Sequence, residues 1–203
     1  MQFKTKQDVR EYVWRKIREV ALPPFPVSGR IPNFKGSKIA CERIRELNKY
    51  KESRIVFSAP DSPLKRVREI VLEDGKILLA VKPRMTGFLI LDSLSDVSIR
   101  GMLKNGKEIR ENELEKLKRV DIFVQGCVAV DINGNRIGKG SGYGDREYQL
   151  LKKYGLLKNC LYVVIAHDIQ VFNDLSYLME NHDAKTDVIL TPSKIVWCKN
   201  EIY

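Results

Sequence analysis

Asp121-Ile122-Phe123-Val124-Gln125-Gly126-Cys127-Val128-Ala129-Val130-Asp131 is followed, after Ile132, by Asn133-Gly134-Asn135-Arg136-Ile137-Gly138-Lys139-Gly140-Ser141-Gly142-Tyr143-Gly144-Asp145-Arg146. The first stretch is the most apolar of the chain. A strand covered on both faces reads as such a near-continuous apolar run, so residues 121–131 are expected to form a buried central strand. Residues 147–153 then read as helix. A strand, a glycine-rich loop and a helix in that order form the repeating unit of an α/β sheet.

The alternation extends in both directions. Strands are expected over residues 54–58, 76–81, 87–92, 161–166, 187–190 and 194–198. A helix follows Pro63, and residues 111–119 read as a short exposed helix. Towards the amino end, Val9, Val13, Ile17 and Val20 recur at three- and four-residue intervals, which predicts a helix over residues 6–21. Leu22-Pro23-Pro24-Phe25-Pro26 stops it, because prolines remove donors and restrict their neighbours. Arg30-Ile31-Pro32-Asn33-Phe34-Lys35-Gly36 reads as an ordered loop, and Ser37 as the cap of a second helix running to about residue 48. Strands separated by helices imply a three-layer α/β/α fold with a mainly parallel central sheet. Residues 1–203 are read as one α/β domain, with residues 1–50 a helical layer integral to it.

Composition narrows the class. The chain has 203 residues, 43% hydrophobic and 31% charged, as in an ordinary folded soluble protein. No apolar run approaches the ~18 residues that a membrane helix needs. The amino terminus alternates charged and apolar groups, unlike a secretory signal. Four cysteines without a CxxC pair, and only two histidines, argue against a disulfide framework or a structural zinc site, so a reduced, cytoplasmic protein is expected. The formal net charge is +10, and residues 1–50 hold 12 basic against 5 acidic side chains. Such a basic end suits a nucleic acid, an anionic surface or a polyanionic small molecule.

Chemistry concentrates in the glycine loop. Its glycines permit positive φ and bring backbone amides close to a ligand. Between a strand and a helix, such a loop presents N–H groups to phosphate. Arg136 and Lys139 add positive charge, and Asp145 supplies a hard oxygen of the type Mg²⁺ prefers. The run is neither a Rossmann nor a Walker A fingerprint. A second polar group, His167-Asp168-Ile169-Gln170-Val171, directly follows a buried strand, and Asn181-His182-Asp183 and Asp187 come after it. Asp183 and Asp187 are both candidates to hold a cation. No Ser or Cys lies in a nucleophile motif, so a hydrolase triad is not expected.

Gly134-x-Arg136-Ile137-Gly138-x-Gly140-x-Gly142-Tyr143-x-Asp145-Arg146 closely resembles the signature of the 5-formyltetrahydrofolate cyclo-ligase family. Gln170, His182-Asp183-x-x-x-Asp187 before Thr191, and Lys6-x-x-Val9-Arg10 fit the family as well. Arg30 to Gly36 and His167-Asp168-x-Gln170-Val171 are similar to its methenyltetrahydrofolate synthetase domain-containing branch. The resemblance implies a Rossmann-like cyclo-ligase fold and an ATP- and Mg²⁺-dependent conversion of 5-formyltetrahydrofolate to 5,10-methenyltetrahydrofolate, with release of ADP and phosphate. It implies a nucleotide cradle of Arg136, Ile137, Gly138, Lys139, Gly140, Ser141, Gly142, Tyr143 and Gly144, reached by Lys6 and Arg10 from the first helix. Asp145 and Asp183 would hold Mg²⁺. Lys139 and Arg136 would be catalytic, and Arg10, Lys139, Tyr143 and Met85 would meet the reduced folate, with Phe88 a second apolar candidate. The chain departs from the family pattern at Gly144, where a second aromatic is usual. It departs again at Pro60-Asp61-Ser62-Pro63-Leu64, where family members carry a Glu and Asp61 is the carboxylate present.

Two other readings accompany this one. The basic first 50 residues, with Trp14, Phe25 and Phe34 interleaved, offer charge and stacking for RNA. An ATP-dependent ligase for another small metabolite is the third. Oligomeric state is not legible.

Overall fold

The computed structural model describes residues 2–180 and 183–199. In chain order its elements begin with α1 (Lys6–Lys16), a 3-10 turn over Ile17–Glu19, β1 (Ala21–Leu22), β2 (Asn33–Phe34), α2 (Ser37–Glu42) and α3 (Asn48–Lys51). Next come β3 (Ile55–Ser58), α4 (Lys65–Glu73), β4 (Ile77–Val81), β5 (Phe88–Leu91), α5 (Ile99–Asn105) and β6 (Lys107–Ile109). The chain continues with β7 (Ile122–Gly126), β8 (Ala129–Asp131), β9 (Arg136–Ile137), α6 (Tyr143–Lys153), β10 (Leu161–Ile165), β11 (Val171–Phe172), β12 (Val188–Leu190) and β13 (Ile195–Trp197).

The main sheet runs β13-β12-β10-β7-β3-β4-β5-β6. Its five inner strands pair parallel, from β12 through β10, β7 and β3 to β4. The outer strands β13, β5 and β6 pair antiparallel. Helices flank this sheet, as the three-layer α/β/α reading requires. Every residue of β3 and β7 is buried, and Phe57 stacks on Phe123 across the two strands with ring centroids 4.5 Å apart.

The apolar stretch that opened the reading is two strands rather than one. β7 belongs to the main sheet, whereas β8 pairs with β9 and β11 in a separate three-stranded sheet. The break falls at Cys127 and Val128, whose carbonyls accept from the buried Gln170 side chain at 2.7 and 3.2 Å. Gly126, just before the break, makes room for Ile31, because a Cβ there would lie 2.5 Å from Ile31 Cγ2. Asp131 closes the β8–β9 turn by accepting from the Asn133 and Asn135 amides, each at 2.9 Å.

α1 follows its pattern but ends at Lys16, short of the expected residue 21: a 3-10 turn takes Ile17–Glu19, and Ala21 already pairs in β1. Thr5 and Asp8 form a reciprocal cap, and Val9, Val13 and Ile17 are fully buried in the core that the sheet also builds. The second helix is shorter than expected. α2 gives way to a 3-10 turn over Arg43–Glu46, and Leu47 is extended before α3. Gly36 caps α2 at φ 89°, and Ser37 is instead a buried first residue. α5 and β6 were not anticipated. Ile99 and Leu103 of α5 remain partly exposed, so the segment carries no clear apolar stripe. None of the described helices is long and apolar enough to cross a membrane.

Candidate active site

The chain leaves β3 towards β4 on one side and later fills β7 on the other. The carboxyl ends of β3 and β7 therefore form a topological switch point, where open α/β sheets place their ligands. A cavity of about 540 Å³ opens there. Lys6 and Arg10 of α1, Asp61 beyond β3, Gln125 and Gly126 of β7, Arg136 of β9 and the 138–142 loop all line it. Met85, Tyr143, Gly144, Asp145, Glu147 and Asp183 line it as well.

Local physics orders each wall. Gly140 and Gly142 take φ of +98° and +70°, where a side chain would be strained, and Gly142 is the left-handed cap of α6. The first turn of α6 has amides without intrahelical acceptors, and it lies at the cavity wall. A Cβ on Gly138 would press on Arg136 Nη1 at 3.1 Å. On Gly144 it would meet the Gln125 amide and Arg136 Nη2 at 3.1–3.3 Å. At the Gly144 departure, therefore, a side chain would crowd the ends of Gln125 and Arg136.

Each carboxylate expected to hold a metal is engaged by its own cation. Arg136 Nη2 meets Asp145 Oδ1 at 2.6 Å, and Lys6 Nζ meets Asp183 Oδ2 at 2.6 Å. Arg10 Nε donates to the Gly138 carbonyl at 2.8 Å, tying α1 to the glycine loop. Arg136 is buried, and its Nε has no partner among the described residues. Lys139 makes no hydrogen bond or ion pair among them; its charge instead acts on Asp61 and Glu147, holding both carboxyls lower than burial alone would. Among the described residues no group of three or more His, Cys, Asp or Glu is placed to hold a metal ion.

Four functional-site residues escaped the sequence reading. Glu147 is buried, and that burial, reinforced by the charge of Asp61, pushes its carboxyl up to about 8. Gln125 Nε2 donates to Glu147 Oε2 and to the Gly144 carbonyl, each at 3.0 Å, and Tyr162 donates to Gln125 Oε1 at 2.5 Å. Arg68, 2% exposed, donates to the carbonyls of Ala59, Asp61 and Val97 and so orders the loop that carries Asp61. Burial raises the Asp61 carboxyl above its ordinary range. A signal for Glu147 existed: it lies four residues after Tyr143 and four before Leu151, on the stripe of α6 that turns inward.

Other sequence candidates lie elsewhere. Asp187 accepts from the Tyr162 amide at 2.7 Å and ties β10 to the segment before β12. His167 accepts from the Ile169 amide through Nδ1 and packs its ring on Phe34. Phe88 is a core residue of β5, leaving Met85 as the apolar side chain of the pair that lines the cavity. Of the aromatics offered for stacking on RNA, Trp14 and Phe34 are buried and Phe25 is exposed. Asn181 and His182 lie outside the described residues.

Comparison with protein families matches residues 3–192 to the 5-formyltetrahydrofolate cyclo-ligase family. The chain belongs to that family. Among curated relatives of this cyclo-ligase family member, the methenyltetrahydrofolate synthase domain-containing protein of Homo sapiens is 37% identical over 203 residues, covering 95% of this chain and 53% of that protein. The 5-formyltetrahydrofolate cyclo-ligase of Escherichia coli (strain K12) is 31% identical over 99 residues, covering 46% of this chain and 51% of that one. The chain spans about half the length of the curated relatives it matches first. In fold, the family member is similar to the Aquifex aeolicus 5,10-methenyltetrahydrofolate synthetase, with a TM-score of 0.64 and 22% identity, covering 98% of this chain and 95% of that one.

Proposed function

We propose that this protein is an ATP- and Mg²⁺-dependent cyclo-ligase that converts 5-formyltetrahydrofolate to 5,10-methenyltetrahydrofolate with release of ADP and phosphate. The observation that carries the reading is convergence: Lys6 and Arg10 from α1, Arg136 from β9 and Lys139 from the glycine loop line one cavity beside the first turn of α6. Clustered cations, left-handed glycines and a helix amino terminus suit a polyphosphate. The buried Arg136 Nε, without a partner among the described residues, and the left-handed glycines 140 and 142 fit the same ligand.

ATP supplies the phosphoryl group that turns the formyl oxygen into a leaving group, and Mg²⁺ supplies neutralisation. Asp145 and Asp183 are the carboxylates that would hold Mg²⁺, in keeping with the few protein ligands this ion takes beside phosphates. The protein's own residues align and neutralise. Backbone amides from Gly138 to Gly144 would cradle the phosphates, whereas Ile137, also expected in the cradle, is buried and does not line the cavity; Lys139, which makes no hydrogen bond or ion pair among the described residues, would meet the transferring group. Arg136 stays fixed by burial, while Lys6 and Arg10 close the site from α1. Tyr143 and Met85 flank the reduced folate, with Asp61 and Glu147 at the same cavity. Catalysis of this kind rests on positioning and charge stabilisation. We assign the activity to the cytoplasm and treat residues 1–203 as a single α/β unit.

The test is a calorimetric titration of MgATP with and without 5-formyltetrahydrofolate, run in parallel with absorbance of the methenyl product and ADP release. Saturable MgATP binding with folate-dependent ADP release is expected. Pure protein that releases no ADP with any reduced folate would overturn the reading.

A further inference from the structure

We infer that Gln125 is a positioning residue: without touching the nucleotide, it fixes the first turn of α6 in the form that receives phosphate. The inference rests on the nucleotide half of the proposed function. Gln125 is the one strongly polar residue of β7, stands at its carboxyl end and is 2% exposed. A buried amide requires partners, and this one takes them from three directions. Its Nε2 donates to the Gly144 carbonyl and to Glu147 Oε2, and its Oε1 accepts from the Tyr162 hydroxyl. The Gly144 contact also fixes which way the amide faces, since a carbonyl only accepts and so requires the NH₂ end. With both ends occupied by protein, Gln125 has little left to offer a ligand, although it lines the cavity.

What it holds is the part of the loop that most needs holding. Gly140, Ser141 and Gly142 are exposed. Three side chains anchor the run around them: Arg10 on the Gly138 carbonyl, Arg136 on Asp145 and Gln125 on the Gly144 carbonyl. The two arginines are the cations that a phosphate would engage. Gln125 is the neutral anchor, and its grip persists whether or not the cations turn to a ligand. Gly144 makes the grip possible, because a Cβ there would stand 3.1 Å from Gln125 Nε2 and 3.3 Å from its Oε1. The amide at position 125 and the missing side chain at 144 therefore form one device.

The test uses Gln125→Leu, Gly144→Ala and the double variant of the full chain, with the non-hydrolysable analogue MgAMP-PNP as probe. Calorimetry is expected to give about five- to tenfold weaker binding for each single variant, the loss that follows from one or two neutral hydrogen bonds. The double variant is expected to be no weaker than Gln125→Leu alone. Hydrogen exchange of unliganded protein over residues 138–147 is expected to quicken by a similar factor in Gln125→Leu, with the sheet strands unchanged. Wild-type affinity in Gln125→Leu, losses that add in the double variant, or exchange that quickens throughout the protein would each overturn the inference. Wild-type protein that binds no MgAMP-PNP would overturn the nucleotide reading, and this inference with it.

Discussion

Replacing Glu147 by glutamine tests the electrostatics of the cavity through stability alone. The side chain is 5% exposed, and burial with the charge of Asp61 lifts its carboxyl from an ordinary value near 4.5 to about 8. Between those two values the folded protein keeps a proton that the unfolded chain has already released. The folded state then binds more protons, so stability falls as pH rises, by about 1.4 kcal/mol per pH unit. The loss begins near pH 4.5 and is complete above about 8, reaching of order 5 kcal/mol. Glutamine keeps the shape and an oxygen for Gln125 Nε2 but does not titrate. Thermal unfolding of both proteins, free of nucleotide and with a chelator present, should therefore diverge with pH. For a chain of this size each kcal/mol moves Tm by about 2–4 °C, so Glu147→Gln should gain on the order of 10 °C over wild type between pH 5 and pH 8. A difference that stays constant to about 2 °C across that range would refute the reasoning.

Three further outcomes are expected. Lys139→Ala should leave Tm within about 2 °C of wild type, because among the described residues the ammonium makes no hydrogen bond or ion pair and acts on Asp61 and Glu147 only through space, while folate-dependent ADP release falls about 10²-fold; steady-state assay beside a melting curve checks both. Arg136→Met strands the partner of a largely buried ion pair and should cost about 3 kcal/mol in urea unfolding. Gly126→Ala places a methyl 2.5 Å from Ile31 Cγ2 and should cost roughly 1–3 kcal/mol, read as a lower urea midpoint with an unchanged m-value.

The sheet was legible where covering on both faces leaves an apolar run, as in β3, β7 and β10. It was not legible where a distant side chain decides. The split between β7 and β8 depends on Gln170, more than forty residues later, capturing the carbonyls of Cys127 and Val128. The edges β5 and β6 turned antiparallel, a matter of connection rather than composition. At the site, the glycine loop announced itself through spacing and charge, and Lys6 and Arg10 through resemblance. Glu147 showed only through its place on the inward stripe of α6, and Gln125, in a strand expected to be buried, gave no sign of its partners, because these come from α6 and β10. Tyr162 lay in a segment expected to be buried, yet its hydroxyl has work only once β10 lies beside β7.

Lys6 bonds to a residue 177 positions away, and Arg10 to one 128 positions away. The pairing of β3 with β4 needs only residues 55–81, but the charged cavity does not exist until α1 meets the segments around Gly138 and Asp183. Completion of the charged cavity thus depends on contacts between distant parts of the chain. On the proposed function, affinity for a polyphosphate would then double as a stringent readout of whether both distant parts of the chain have come together.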